Sequence, residues 1–168
     1  SLNEGENENH AGQLLNVGNT YFNMGDLKNA ARFHLRSLEM FEKLKNKRGQ
    51  SFCLNSLGND FFKLNQFDQA ATYFHRSVKL KEELQDKRGL ISSWTGLGDV
   101  YKKKGQFQLS EKYYTQALTA SKEMKLLLEE ARTYNQLGLL YKKMDDIPQA
   151  LESLSTALQL SKQGGDSA

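Results

Sequence analysis

Apolar side chains recur along this chain at spacings of three and four, the interval that gathers them on one face of a helix. Around Trp94, Leu97 and Tyr101 one such row is followed at Gly105 by a turn residue and then by a second helical row. The alternation repeats, because Gly18, Gly58, Gly98 and Gly138 stand 40 residues apart. An aromatic follows each glycine by three positions, at Tyr21, Phe61, Tyr101 and Tyr141, and an aliphatic precedes it, at Val17, Leu57, Leu97 and Leu137. Small residues follow the aromatics by nine positions, at Ala30, Ala70, Ser110 and Ala150. These columns share one register, which predicts four copies of one helical hairpin.

Gly25, Asn65, Gly105 and Asp145 mark the turn inside each hairpin, since these residue types best tolerate the left-handed conformation that ends a helix. Asp26 and Asp146 are placed to cap the following helix, and Pro148 falls in its first turn, where a missing amide costs little. The second helix of the second copy is predicted from Phe67 to Leu84. The glycine column lets one helix approach its partner closely, and no hairpin buries its apolar face alone, so neighbours must stack. The expected boundaries are about 11–50, 51–90, 91–130 and 131–162, in a single array over 10–162. The polar ends, 1–9 and 163–168, are expected to be disordered tails.

Leu54, Leu57, Gly58, Phe61, Ala70 and Phe74, and again Trp94, Leu97, Gly98, Tyr101, Tyr114 and Ala117, resemble the tetratricopeptide repeat signature, and the resemblance covers about residues 11 to 162. It implies an all-α fold, a right-handed helical-hairpin solenoid of four such repeats. The common repeat has about 34 residues, whereas this one has 40 and no proline near its end, so a second helix longer by more than a turn is expected. The extended form is similar to the repeats of animal adaptors that bind G-protein and spindle components. It is equally similar to sensory arrays attached to bacterial kinases, cyclases and transcription regulators.

Composition narrows the function. The 23 basic and 20 acidic residues leave a net charge of +3, too small a positive excess for a dedicated nucleic-acid binder. No apolar run approaches the roughly 18 residues needed to span a bilayer, so membrane insertion is not expected. Cys53 is the one cysteine, and no Cys/His spacing resembles a zinc site; neither disulfide nor metal is expected, and a reducing, cytoplasmic location is. The chain opens on Ser1 rather than methionine, as an excised piece of a longer protein would. His10 lies in the expected tail. His34 and His75 lie on second helices without a carboxylate or nucleophile at motif spacing, and Cys53 reads as a buried structural thiol. The glycines mark packing and turns rather than a phosphate loop, so neither cofactor nor enzymatic activity is expected.

The resemblance also implies that the first helices line a concave groove. Its stripe comprises Leu15, Asn19, Phe22 and Asn23, then Asn55, Asn59, Phe62 and Lys63, then Thr95, Asp99, Lys102 and Lys103, then Asn135, Leu139, Lys142 and Lys143. Asparagine amides donate and accept at once, which suits the backbone of an extended peptide. Lysines near the ends of these helices attract an acidic ligand or complement the helix dipole. The candidate contacts are therefore Asn19, Asn23, Asn55, Asn59, Lys63, Asp99, Lys102, Lys103, Asn135 and Lys142. Some family members clamp the terminal carboxylate of chaperone tails. Here Asn19 fits one clamp column, but Leu15, Ser56, Ser92 and Gly96 replace the rest, which disfavours that ligand.

Two further features bear on partners. The junctions Asn46-Lys47-Arg48-Gly49 and Asp86-Lys87-Arg88-Gly89 are basic, whereas Leu126-Leu127-Leu128-Glu129 is apolar and reads as packing or as a contact patch. No polar capping helix follows Leu160, which leaves an apolar end for more repeats, a partner domain or self-association. The chain is thus read as a non-catalytic module binding a protein or peptide partner. The alternatives are a regulatory array of a larger signalling protein and a homo-oligomeric scaffold.

Overall fold

The computed structural model describes residues 4–165 as eight helices, with no strand among the described residues. They are α1 (Glu4–Asn23), α2 (Leu27–Lys43), α3 (Lys47–Lys63), α4 (Phe67–Glu83), α5 (Lys87–Lys103), α6 (Phe107–Glu123), α7 (Leu127–Lys143) and α8 (Ile147–Gly165). Helix begins at Glu4 and ends at Gly165, so 4–9 and 163–165 are helical rather than disordered; 1–3 and 166–168 lie outside the described residues.

The repeat turns out to be built from equal parts. Each helix from α2 to α7 spans 17 residues, so in the second and third hairpins the second helix is no longer than the first. First helices begin at Lys47, Lys87 and Leu127, four residues before the expected boundaries at 51, 91 and 131. The Lys-Arg-Gly triplets are accordingly the opening turns of α3 and α5 and not loops.

Every three-residue connection carries one residue of positive φ, at Gly25, Lys45, Asn65, Gln85, Gly105, Lys125 and Asp145. The turns between hairpins thus have the same geometry as the turns within them. At the first junction, Asn46 N–H donates to Phe41 C=O at 2.9 Å and Lys45 N–H donates to Glu42 C=O at 3.0 Å. This is the paired bonding of a Schellman end, which satisfies the last carbonyls of the helix. Side-chain caps are supplied by Asp26 to Asn29 N–H (3.2 Å), Asn46 to Gly49 N–H (2.8 Å) and Asp146 to Gln149 N–H (3.2 Å). Leu126 caps nothing: the third junction keeps the common turn, with Leu126 and Leu127 half-buried and Leu128 exposed.

Two compact units divide the chain, α1–α4 and α5–α8. The first is centred on Ala11, Ala31, Leu38, Phe41, Cys53, Leu54 and Leu57, the second on Tyr114, Leu137 and Leu140. The glycine column sets how closely the two helices of a hairpin approach. A Cβ on Gly58 would stand 2.6 Å from the Phe74 ring, and one on Gly138 would stand 2.6 Å from Leu154 Cγ. Gly18 and Gly98 face His34 and Tyr114 in the same way. Beside this contact an aromatic pair stacks in three hairpins: Tyr21 on Phe33, Phe61 on Tyr73 and Tyr101 on Tyr113, with centroids 5.3, 5.2 and 5.6 Å apart.

Candidate peptide-binding groove

Within the first unit, α1 and α3 carry Asn19, Asn23, Asn55, Asn59 and Lys63. Asn19 and Asn59 are brought together. With Phe22, Ser56 and the edge of His34 they line a cavity of about 140 Å³. Asn59 and Asn23 are exposed, as is Lys63 in the last turn of α3. Asn55 is half-buried, and its amide oxygen accepts from Lys81 Nζ at 3.3 Å, so it serves the interior. Lys81 itself is buried, and burial pushes its ammonium down to about 8 against the weaker pull of Asp86.

Asn19 is anchored from below. His34 Nε2 lies 3.2 Å from Asn19 Oδ1, and His34 Nδ1 lies 2.6 Å from Asp60 Oδ2. His34 and Asp60 are both fully buried, and Asp60 Oδ1 has no partner among the described residues. Burial raises the Asp60 carboxyl above the usual carboxylate range, with His34 opposing the shift. His34 therefore has a carboxylate partner, though not at the motif spacing that the sequence reading considered. The partner comes from the next hairpin, 26 positions away, where no motif spacing reveals it. One signal was present: Asp60 occupies a column otherwise filled by Thr20, Val100 and Leu140.

In the second unit, Asp99 accepts a hydrogen bond from the Tyr114 hydroxyl and lies 3.4 Å from Lys102 Nζ. Lys102 also donates to Gln136 Oε1 at 2.6 Å and stands 5.3 Å from the centre of the Tyr114 ring. It is half-buried, and burial lowers its ammonium below the ordinary lysine range. Lys102 thus links α5 to α7 and Asp99 links α5 to α6, so neither is a free groove charge. Lys103, Asn135 and Lys142 are exposed.

One relation orders these observations. Where the residue facing the glycine has a polar tip, His34 or Tyr114, the residue after the glycine holds that tip: Asn19 or Asp99. Where it is Phe74 or Leu154, the residue after the glycine, Asn59 or Leu139, is exposed.

Cys53 and Lys47 are engaged within the fold. Cys53 is buried, donates to Ser37 Oγ at 3.2 Å, and is pushed up to about 11 by burial, which disfavours a thiolate. Lys47 of the basic junction pairs with Glu83 at 2.8 Å, and Arg76 pairs with Glu42 at 3.1 Å. Among the described residues no cluster of three or more His, Cys, Asp or Glu is placed to hold a metal ion. No described helix is long and apolar enough to cross a membrane.

Helical hairpins of fixed length, packed through a glycine column and presenting polar first helices, define a helical-repeat scaffold. The tetratricopeptide repeat family model matches residues 11–83 and 89–163, and the chain belongs to that family. No curated protein matches the chain in sequence. Among solved structures, BtubC (BKLC) from P. vanneervenii is similar at 18% identity and a TM-score of 0.84, over 92% of this chain and 64% of that one. Aspartyl phosphate phosphatase F from Bacillus subtilis is similar at 16% identity and 0.88, over 95% of this chain and 42% of that one. The apo form of RapI is similar at 15% identity and 0.85, over 93% of this chain and 57% of that one. At such identities the likeness is one of fold. The chain spans less than two thirds of the length of each of these proteins.

Proposed function

We propose that this chain is a non-catalytic, cytoplasmic protein-interaction module whose α1–α3 groove binds an extended peptide segment of a partner. The observation that carries this reading is the pair of amides, Asn19 and Asn59, set around a cavity of about 140 Å³ with Phe22 in its wall. A cavity of that size is smaller than the roughly 300–1,000 Å³ of small-molecule sites and admits a single side chain. The two amides supply donors and acceptors to the peptide backbone on either side of it. Asn19 is held by His34, so less freedom is lost on binding than for a loose surface amide. Lys63, one turn beyond Asn59, favours an acidic segment. Exposed Lys103, Asn135 and Lys142 extend the same reading to the first helices of the second unit.

The test is selection from a phage-displayed library of random peptides, followed by calorimetry of the selected peptide. Asn59→Ala should weaken binding about tenfold, the worth of one or two hydrogen bonds, with the melting temperature unchanged. A peptide bound equally well by Asn59→Ala and Phe22→Ala would place recognition elsewhere.

A further inference from the structure

Between α5 and α6 the third hairpin holds a cavity of about 350 Å³, walled by these two helices alone. Leu90 and Trp94 form one side and Thr119 and Ala120 the other. Lys87 and Glu123, the first residue of α5 and the last of α6, stand at one end of it. The volume falls within the roughly 300–1,000 Å³ of small-molecule sites, and the lining has their character, apolar with a few polar groups.

The equivalent place in the second hairpin is more nearly filled. There Leu54, Lys79 and Leu80 occupy the positions of Trp94, Thr119 and Ala120, and the space is about 250 Å³. The first and fourth hairpins also carry a long side chain in the Ala120 column, at Met40 and Leu160. Alanine therefore opens the third hairpin where its neighbours are plugged. The charges at the mouth differ in the same way. Lys47 pairs with Glu83 at 2.8 Å, whereas the equivalent Lys87 and Glu123 form no ion pair among the described residues. Trp94 is half-buried, and its indole N–H has no hydrogen-bond partner among the described residues.

An unpaired ammonium and an unpaired carboxylate at one end of an apolar cavity are matched by a ligand that carries both charges and an apolar body. An α-amino acid meets that description: its carboxylate answers Lys87 and its ammonium answers Glu123. A flat side chain then lies along Leu90, Ala120 and the Trp94 ring, where aromatic groups pair favourably. A ligand of one sign leaves one of the two charges unmatched, and a purely apolar one leaves both.

We propose that this cavity is a binding site for a free aromatic α-amino acid. It shares no residue with the α1–α3 groove, so each stands or falls without the other.

Trp94 is the only tryptophan in the chain, so its emission reports on the cavity directly. Titration with L-phenylalanine should change that emission and give a Kd between about 10 µM and 1 mM, the range for a ligand of this size, with calorimetry in agreement. Ala120→Leu, which restores the side chain of the second hairpin, should weaken binding at least about tenfold by refilling the space, with the melting temperature unchanged. Lys87→Met and Glu123→Gln should each cost about two- to fivefold, the worth of an ion pair at an exposed rim. Phenylpropionate, which lacks the ammonium, and phenethylamine, which lacks the carboxylate, should bind more weakly than L-phenylalanine. Calorimetry that detects none of L-phenylalanine, L-tyrosine and L-tryptophan, or binding unchanged by Ala120→Leu, would overturn the proposal. So would equal binding of N-acetyl-L-phenylalaninamide, which would mark the cavity as a seat for a partner's side chain.

Discussion

His34 on α2 and Asp60 on α3 meet in the interior of the first unit with Nδ1 and Oδ2 2.6 Å apart, and neither side chain reaches solvent. At the same positions the later repeats place Phe74, Tyr114 and Leu154 in one column and Val100 and Leu140 in the other. A buried polar pair of this kind contributes little net stability, because desolvation offsets the attraction, yet breaking it leaves one group uncompensated. Asp60→Ala alone should cost about 3–5 kcal/mol. Combining His34→Phe with Asp60→Val should leave the chain as stable as the wild type, or up to about 4 kcal/mol more stable. Urea unfolding measures both, and a double variant weaker than either single would refute the account. The double variant should also bind groove peptides less well, because Asn19 loses its anchor.

Lys81 provides a pH signature. Burial lowers its ammonium from 10.5 to about 8, so the folded state binds fewer protons there than the unfolded state. The associated stability is present above 10.5 and is lost as pH falls through about 8. A shift of this size corresponds to roughly 3 kcal/mol. Lys81→Met should therefore gain on the wild type at pH 7, and the gain should shrink as pH approaches 10.5. Urea midpoints across that range test the sign, and a gain independent of pH would contradict it.

Two glycines should respond in opposite directions to alanine. A Cβ on Gly58 meets the Phe74 ring at 2.6 Å, so Gly58→Ala forces an overpacked contact worth about 1–3 kcal/mol of destabilisation. Gly12 lies inside α1 with nothing within 4 Å of a built Cβ, so Gly12→Ala should gain up to about 1 kcal/mol from helix propensity alone. Thermal melts that fall for the first and rise for the second would fit; equal effects would not.

The sequence showed most of the fold, because glycine, turn and aromatic columns report backbone needs that few residue types meet. Gly25, Asn65, Gly105 and Asp145 all took the left-handed conformation predicted for them. Lys45, Gln85 and Lys125 adopt it too, but lysine and glutamine carry no such preference, which hid the second set of turns and misplaced the hairpin boundaries. The groove was less legible. Which polar side chains serve the interior depends on what lies across the hairpin: Asn59 is exposed above Phe74, whereas the Asn55 amide is held by Lys81 and the Asp99 carboxylate by Tyr114. Such pairings join residues 15 to 26 positions apart and are set by packing, not by local pattern.

The central claim, that the α1–α3 groove receives a peptide, is tested most directly by nitrogen-15 NMR of the backbone and side-chain amides during titration with a library-selected peptide. The account predicts that the Asn59 and Asn19 amide resonances shift first, together with Phe22. Resonances that move around Arg76 and Glu42 while Asn59 stays still would contradict it.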